Sequence, residues 1–225
     1  MKKYLNNKLL IKDFKEDEIT DILSSYQSSR NNLIKGIGDD CAVVNNENND
    51  EYSVYTSDAT IEGVHFNFGE SPERIGNKAI GRVLSDFAAM GARPRWILIN
   101  LSIPQDYKMD DLKIIYSSIQ NKLEQYECSI VGGDLTKSNT LGFNIFGAGI
   151  AKYQNIIYRD NVNINQKIWC TGQLGLSAYG KHLDFPSRVE EGLWLSEFCH
   201  AKSMIDITDG LVIDLNRLLN NKFGA

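Results

Sequence analysis

The run SPERIGNKAIGRVLSDFAAMG, residues 71–91, limits the possible folds more than any other stretch. Ile75, Ala79, Ile80, Val83, Leu84 and Phe87 recur at helical spacing and make one apolar stripe. Ser71 is a good N-cap, Pro72 fits the first turn, and Gly91 suits the C-terminal cap. Such a stripe must be buried against another layer. The flanking patterns supply one. A strand is predicted over Trp96–Ile103, ended by Pro104, and an amphipathic helix over 110–126. CSIVGGD reads as a strand running into a glycine turn, and LGFNIFGAGIA as a further strand. Upstream, Phe14, Ile19, Ile22, Leu23 and Tyr26 give residues 13–26 helical spacing. Ala42–Val44 is a short strand, NNENND a polar loop, and YSVYTSDA an alternating strand that ends in hydroxyls and an acid.

After Lys152 the chain becomes polar and loop-like (KYQNIIYRDNVNINQ), so a domain boundary is expected there, dividing residues 1–152 from 153–225. KIWCTGQLGLSAYG predicts a strand, a glycine-rich turn and a helix start. Residues 189–200 predict a helix. SMIDITDGLVIDLNRLL predicts a strand, an acidic turn and a helix. Strands and helices alternate, so the class is α/β or α+β.

Of the 225 residues, 42% are hydrophobic and 24% charged, an ordinary balance for a globular chain. The formal net charge of -5 and the lack of a basic stripe argue against nucleic acid as a partner. An acidic chain can still bind phosphates if divalent cations stand between. MKKYLNNKLLIKDF is basic, but its longest apolar run is Leu9–Ile11, so no secretory signal is expected, and no run approaches a membrane span. The four cysteines (Cys41, Cys128, Cys170 and Cys199) form no Cys-x-x-Cys pair. Reduced thiols in a cytoplasmic protein are expected, without a zinc site.

The acids recur in one context. Asp39 and Asp40 follow Gly36 and Gly38. Asp58 follows Thr56 and Ser57. Asp134 follows Gly132 and Gly133. Asp206 and Asp209 flank Thr208. Carboxylates at strand ends converge on one rim of a sheet, where ligands bind in such folds. Mg²⁺ takes oxygen ligands of this kind together with substrate phosphates and water. Hydroxyls such as Ser57 and Thr208 can complete a shell, and neighbouring glycines let backbone N–H groups approach phosphate. Plainer roles fit each residue singly. Asp-Gly pairs form turns, and Asp209-Gly210 can cap the next helix. Asp86, inside a helix, can pair with Arg82 for about 0.2–0.5 kcal/mol. His65 can be structural, Lys137 and Arg159 solvated, and TGQLG tightly packed.

GIGDDCAVV, TSDATIEGVHF, NKAIGRVLSDFAAMGARP, IVGGDLTKS, CTGQLGLSAYG and SMIDITDGL resemble, in this order, the signature blocks of the thiamine-monophosphate kinase family. Its superfamily includes aminoimidazole ribonucleotide synthetase, selenophosphate synthetase and a hydrogenase maturation protein. The resemblance runs from about residue 36 to 219. It implies a two-domain synthetase-type fold, α/β with α+β character, whose N-terminal sheet or barrel domain makes a homodimer. It also implies direct transfer of the γ-phosphoryl group of ATP to thiamine monophosphate, with several Mg²⁺ ions. No phosphoenzyme forms, so no catalytic nucleophile is expected. The concentrated negative charge of two phosphorylated substrates explains why Mg²⁺ and acids to hold it are needed.

By the same resemblance, Asp40, Thr56, Ser57, Asp58, Asp86, Asp134, Asp206 and Asp209 bind Mg²⁺. Tyr116, Gly133, Asp134, Arg159 and Thr208 meet ATP, and His65 meets thiamine monophosphate. Asp39 supports the loop that presents Asp40. Some positions depart from the family. Leu135 and Lys137 stand where threonine and arginine are common, Thr208 stands where serine is usual, and the stretch between Gly180 and Ala201 is short. Family members also continue past the position of Ala225 through a GGEDYEL-like block whose acid contacts substrate. Residues 153–225 are therefore expected to form only the first part of the C-terminal domain. Two alternatives remain at this point. One is a catalytically incomplete nucleotide-binding fragment. The other is a different ATP-dependent synthetase, although the selenophosphate branch expects a reactive cysteine or selenocysteine in a glycine-rich N-terminal loop that this chain lacks.

Overall fold

The computed structural model describes residues 10–46 and 50–219. A short helix α1 (Glu16–Ser24) precedes strands β1 (Leu33–Lys35), β2 (Ala42–Asn45) and β3 (Glu51–Ile61). Helix α2 (Pro72–Ala89), strand β4 (Arg93–Ile103), helix α3 (Met109–Glu124) and strands β5 (Ser129–Lys137) and β6 (Gly142–Lys152) follow. Beyond them lie α4 (Lys181–Asp184), α5 (Val189–Glu197) and α6 (Leu211–Leu219). The six strands form one mixed sheet in the order β1-β2-β3-β6-β4-β5, and of its pairings only β4 with β5 is parallel. This is the expected mixed α/β class.

The stripe predicted for α2 is buried against the sheet. Ile75, Ala79, Ile80, Val83, Leu84 and Phe87 share a core with Val43, Val54, Ile97, Ile99, Leu101, Phe143 and Ile145 of the strands. Ile115, Ile119 and Leu123 of α3 complete it. Two glycines let α2 come close. A Cβ on Gly147 would lie 2.8 Å from the Phe87 ring, and one on Gly149 would lie 2.7 Å from it. The helix ends where Gly91 was expected to end it. Gly91 has φ 61°, its N–H reaches the Ala88 carbonyl and the Ala92 N–H reaches that of Phe87. Those two bonds make a Schellman cap. Ser71 occupies the N-cap position, but its hydroxyl donates to Glu73 (2.7 Å) instead of capping the helix.

Several expectations need correction. Gly132 and Gly133 form no turn, because β5 runs straight through them to Lys137. Gly133 is needed there because a Cβ would sit 1.9 Å from the Ile99 carbonyl oxygen of the parallel neighbour. The strands expected in KIWCTG and SMIDI are not formed. Ile168 and Trp169 are exposed, and among the described residues no strand lies beside either segment to supply the missing hydrogen bonds. The helix expected over 13–26 contracts to α1, after a 3₁₀ turn at Ile11–Asp13, with Tyr26 exposed. The helix expected over 189–200 ends at Glu197. The NNENND loop includes residues 47–49, which lie outside the described residues. No helix is long and apolar enough to cross a membrane among the described residues.

Candidate metal and phosphate site

The site is built where α2 lies along β3. Alternate residues of a strand advance about 6.6 Å, and every fourth residue of a helix advances about 6 Å. Two rungs of a polar ladder therefore match. The Thr56 hydroxyl donates to Asp86 Oδ2, and Arg82 gives Nε to Asp58 Oδ2 (2.9 Å) and Nη2 to Oδ1. The plain reading of Asp86 as the ion-pair partner of Arg82 is thus replaced, since Arg82 gives its hydrogen bonds to Asp58 on the strand and makes no ion pair with Asp86.

Asp86 instead meets two other acids. Carboxylate oxygens of Asp40, Asp86 and Asp206 lie within 4.8 Å of one another. Asp40 comes from the loop before β2, and Asp206 from the irregular segment before α6. The Asp40 side chain is 2% exposed and pairs with Arg159 through Oδ1. Its Oδ2 and the Oδ2 of Asp206 are buried without any hydrogen-bond partner. Burial pushes all three acids up, Asp40 to about 8; repulsion from Asp206 adds to the rise of Asp40 and Asp86, and repulsion from Asp214 to that of Asp206. The neighbouring Ser85 hydroxyl works against the rise at Asp206. One arginine cannot neutralise three buried carboxylates, so a proton or a cation must do so.

Asp39 plays a different part. Its carboxylate accepts the Asp40 N–H (3.0 Å) and the Arg159 N–H (3.2 and 3.3 Å), and Lys35 lies 3.4 Å away. It therefore braces the loop that carries Asp40, as expected. Gly38 (φ 112°) supplies the backbone turn before the two acids.

The remaining candidates divide. Thr56 and Asp58 face α2 with the acid trio. Ser57 points the other way along β3, to the sheet face that α2 leaves uncovered, in line with Phe146. Asp134 is on that uncovered face too, cross-strand from Asn100. Gly133 is its strand neighbour, and Tyr116 is on α3, half-buried against the core. Asp209 is exposed and pairs with Arg217, and the Thr208 N–H is held by Asp214 Oδ2 (2.9 Å). His65 follows β3, and its Nδ1 accepts the Ile61 N–H (3.0 Å). Sequence reasoning missed Asp214, Ser85, Lys78 and His182. Asp214 carries no local sign of its role, since it reads as an ordinary acid on the first turn of a helix.

The donor set fits a hard divalent cation. It consists only of oxygens, two of them buried and unpartnered, with the Thr56 hydroxyl beside them. Cys41, next to Asp40 in the chain, is buried and its thiol is pushed well up by burial and by these acids, so it offers no thiolate.

Residues 38–151 match the family model for the N-terminal domain of AIR synthase related proteins. The chain is 34% identical to thiamine-monophosphate kinase of Buchnera aphidicola from Acyrthosiphon pisum, over 97% of this chain and 70% of the relative. It is 31% identical to the enzyme of that name from Aquifex aeolicus, over 82% of this chain and 65% of the relative. Among solved structures it is similar to AaThiL complexed with AMPPCP and TMP (TM-score 0.80, 27% identity, 95% of this chain and 72% of that one). It is also similar to thiamine-monophosphate kinase from Stenotrophomonas maltophilia (TM-score 0.69, 28% identity, 90% of this chain and 70% of that one).

Proposed function

Because the chain belongs to the thiamine-monophosphate kinase family, we propose that it transfers the γ-phosphoryl group of ATP directly to the phosphate of thiamine monophosphate. The products are thiamine diphosphate and ADP. One observation carries this reading: three buried carboxylates converge, and two of their oxygens have no partner. Such an arrangement is costly in an apo protein, at several kcal/mol per uncompensated buried ion, and suits a site completed by a cation.

In this reading Asp40, Asp86, Asp206 and Thr56 hold Mg²⁺, and Asp58 joins them when Arg82 releases it. When bound, Mg²⁺ would neutralise phosphate charge and orient the two substrates. The chain's own residues do the rest. Asp39 fixes the height of Asp40. Arg159, anchored through its backbone N–H, turns its guanidinium from Asp40 to an ATP phosphate. Tyr116 on α3 and Thr208 and Asp209 before α6 complete the contacts on this side of the sheet, and Ser57, Gly133 and Asp134 would meet nucleotide and metal from its other face. His65 meets thiamine monophosphate. The acceptor phosphate is already anionic, so no general base or nucleophile is required, and positioning with charge neutralisation carries the rate.

The uncovered sheet face, with Trp96, Leu98 and Phe146 exposed, suits a homodimer made by residues 1–152. That would bring Ser57 and Asp134 of this face to the subunit boundary. Residues 153–225 would then start a second domain. A reducing, cytoplasmic setting fits the four unpaired cysteines.

The test is thiamine diphosphate formation from thiamine monophosphate and Mg-ATP by the folded 225-residue chain. Product supports the kinase. A folded chain that binds Mg-ATP and makes no product would show that it retains the nucleotide site without the transfer activity.

A further inference from the structure

At the other end of the α2 ladder from the acids lies a group of opposite character. Lys78, Arg82 and Asp86 are spaced i, i+4, i+8, so they lie on one side of the helix within about 12 Å. Lys78 is 8% exposed, and its Nζ is 2.6 Å from His182 Nδ1 on α4. An ammonium can only donate, so Nδ1 of His182 is the acceptor and Nε2 carries the proton. The same logic applies to His65, because its Nδ1 accepts the Ile61 N–H and Nε2 is left as the N–H donor. Arg82 completes the group and spends Nε and Nη2 on Asp58.

The position of His182 is fixed by the docking of α4 on α2. Arg74 binds Asp184 (2.7 Å) and the Gly180 carbonyl (3.1 Å), and Asn77 binds the Leu183 carbonyl (2.6 Å). Lys122 reaches over from α3 to the Phe185 carbonyl (3.1 Å). These contacts hold the imidazole against Lys78. Burial and the Arg82 charge push Lys78 down to about 8, with Asp58 as the opposing carboxylate. Both histidines are pushed down by burial and then by the cations beside them, Arg82 and Lys78 for His65, Lys78 and Arg74 for His182. Three carboxylates face the group, Asp58 paired with Arg82 and both Glu70 and Asp184 paired with Arg74, and Lys78 has no carboxylate partner among the described residues, so the N–H donors around its ammonium are suited to an anion.

We propose that Lys78, with the Nε2–H groups of His182 and His65 and the guanidinium of Arg82, forms the subsite for the phosphate of a phosphate monoester. In the kinase reading, on which this assignment of the ligand rests, that monoester is the acceptor. The two ends of one helix then divide the labour. Lys78 and Arg82 hold the acceptor dianion directly, and Asp86 serves the cation that accompanies ATP. When the anion arrives, Arg82 can turn from Asp58 to it, which frees Asp58 for the metal.

The test uses the full chain and the variants Lys78→Met and Lys78→Arg, with His182→Gln as a second route should Lys78→Met fold poorly. Inorganic phosphate is the first probe, read as the shift in unfolding temperature in metal-free buffer at constant ionic strength. Phosphate is expected to raise the midpoint of the wild type and of Lys78→Arg, and to lose most of that effect in Lys78→Met and His182→Gln. Equal protection of all four proteins, or of none, would overturn the subsite. Thiamine monophosphate and unphosphorylated thiamine, titrated with Mg²⁺ and AMPPCP present, are the second probe. The wild type should prefer the monophosphate at least about tenfold, equivalent to about 1.4 kcal/mol, and Lys78→Met should lose that preference while its affinity for Mg-AMPPCP stays within about twofold. Phosphate protection that depends on Lys78, without preference for thiamine monophosphate, would keep the subsite and overturn the acceptor.

Discussion

Asp206 and Asp214 are both carboxylates withdrawn from water in one short stretch, and their surroundings are opposite. Asp214 is 1% exposed and fully engaged. Its Oδ2 accepts the N–H groups of Thr208 (2.9 Å), Asp209 (3.0 Å) and Gly210 (3.0 Å), and its Oδ1 lies 3.1 Å from Arg217. Asp206 has a buried Oδ2 with no partner and two acids for company. Burial alone therefore does not mark a functional acid. A satisfied buried carboxylate is architecture, here ordering the loop that carries Thr208 and Asp209. An unsatisfied one among like charges is suited to a cation. Asp39 belongs with Asp214, since its oxygens are taken by backbone N–H groups and Lys35.

The largest expected effect falls on the architectural acid. Asp214→Ala leaves three N–H groups without their acceptor and takes one of its carboxylates from Arg217, and should cost about 3 kcal/mol of stability. Urea unfolding should show the same loss with and without Mg²⁺; a loss that Mg²⁺ removes would break the distinction. Asp40→Asn should act the other way round. Product formation, or Mg-ATP affinity if the chain makes none, should fall by about 10²-fold, equivalent to about 2.7 kcal/mol, while stability changes by less. An unfolded variant whose folded fraction keeps its nucleotide affinity would reassign Asp40 to the architecture.

Thr56→Val sharpens the contrast, because it removes the hydroxyl from Asp86 and makes that acid resemble Asp206. Metal-free stability should drop by about 1 kcal/mol, the net worth of one such bond, and Mg²⁺ should restore part of it. Calorimetry at two Mg²⁺ concentrations would read both quantities. The smallest effect is expected at Lys35→Gln. Its partly exposed bridge to Asp39 is worth about 0.2–1 kcal/mol, and the backbone N–H groups keep Asp39 satisfied. Chemical denaturation should detect little, and a loss above about 2 kcal/mol would show that Asp39 depends on its cation.

Much of this was legible in the sequence, for physical reasons. The helix over 71–91 is a local object, and its stripe, Pro72 and Gly91 all point to one structure. The acids at Asp40, Asp86 and Asp206 were singled out from strand-end and family context, and they do converge. Their separation from Ser57 and Asp134 was not legible as a consequence of the fold until the strand pairings were known. Alternation then puts Ser57 on the opposite face from Thr56 and Asp58. Gly132-Gly133 was misread because a glycine pair usually marks a turn, whereas here the missing Cβ admits the neighbouring strand. KIWCTG and SMIDI have strand composition and no strand partner, and strand formation depends on that non-local partner. Lys78 and Asp214 were overlooked because a charge on a helix most often faces water, and only packing shows that these two do not.

Mg²⁺-dependent stability of the wild type and of Asp206→Asn reads whether the trio binds a cation. Thermal unfolding would be followed over rising Mg²⁺ at constant ionic strength, with Ca²⁺ as a second hard cation. Mg²⁺ should raise the wild-type midpoint progressively. Asp206→Asn should start higher than the wild type without metal and gain little when metal is added. A variant that starts lower and responds to Mg²⁺ as strongly as the wild type would contradict cation binding by the trio, and would make Asp206 one more structural acid.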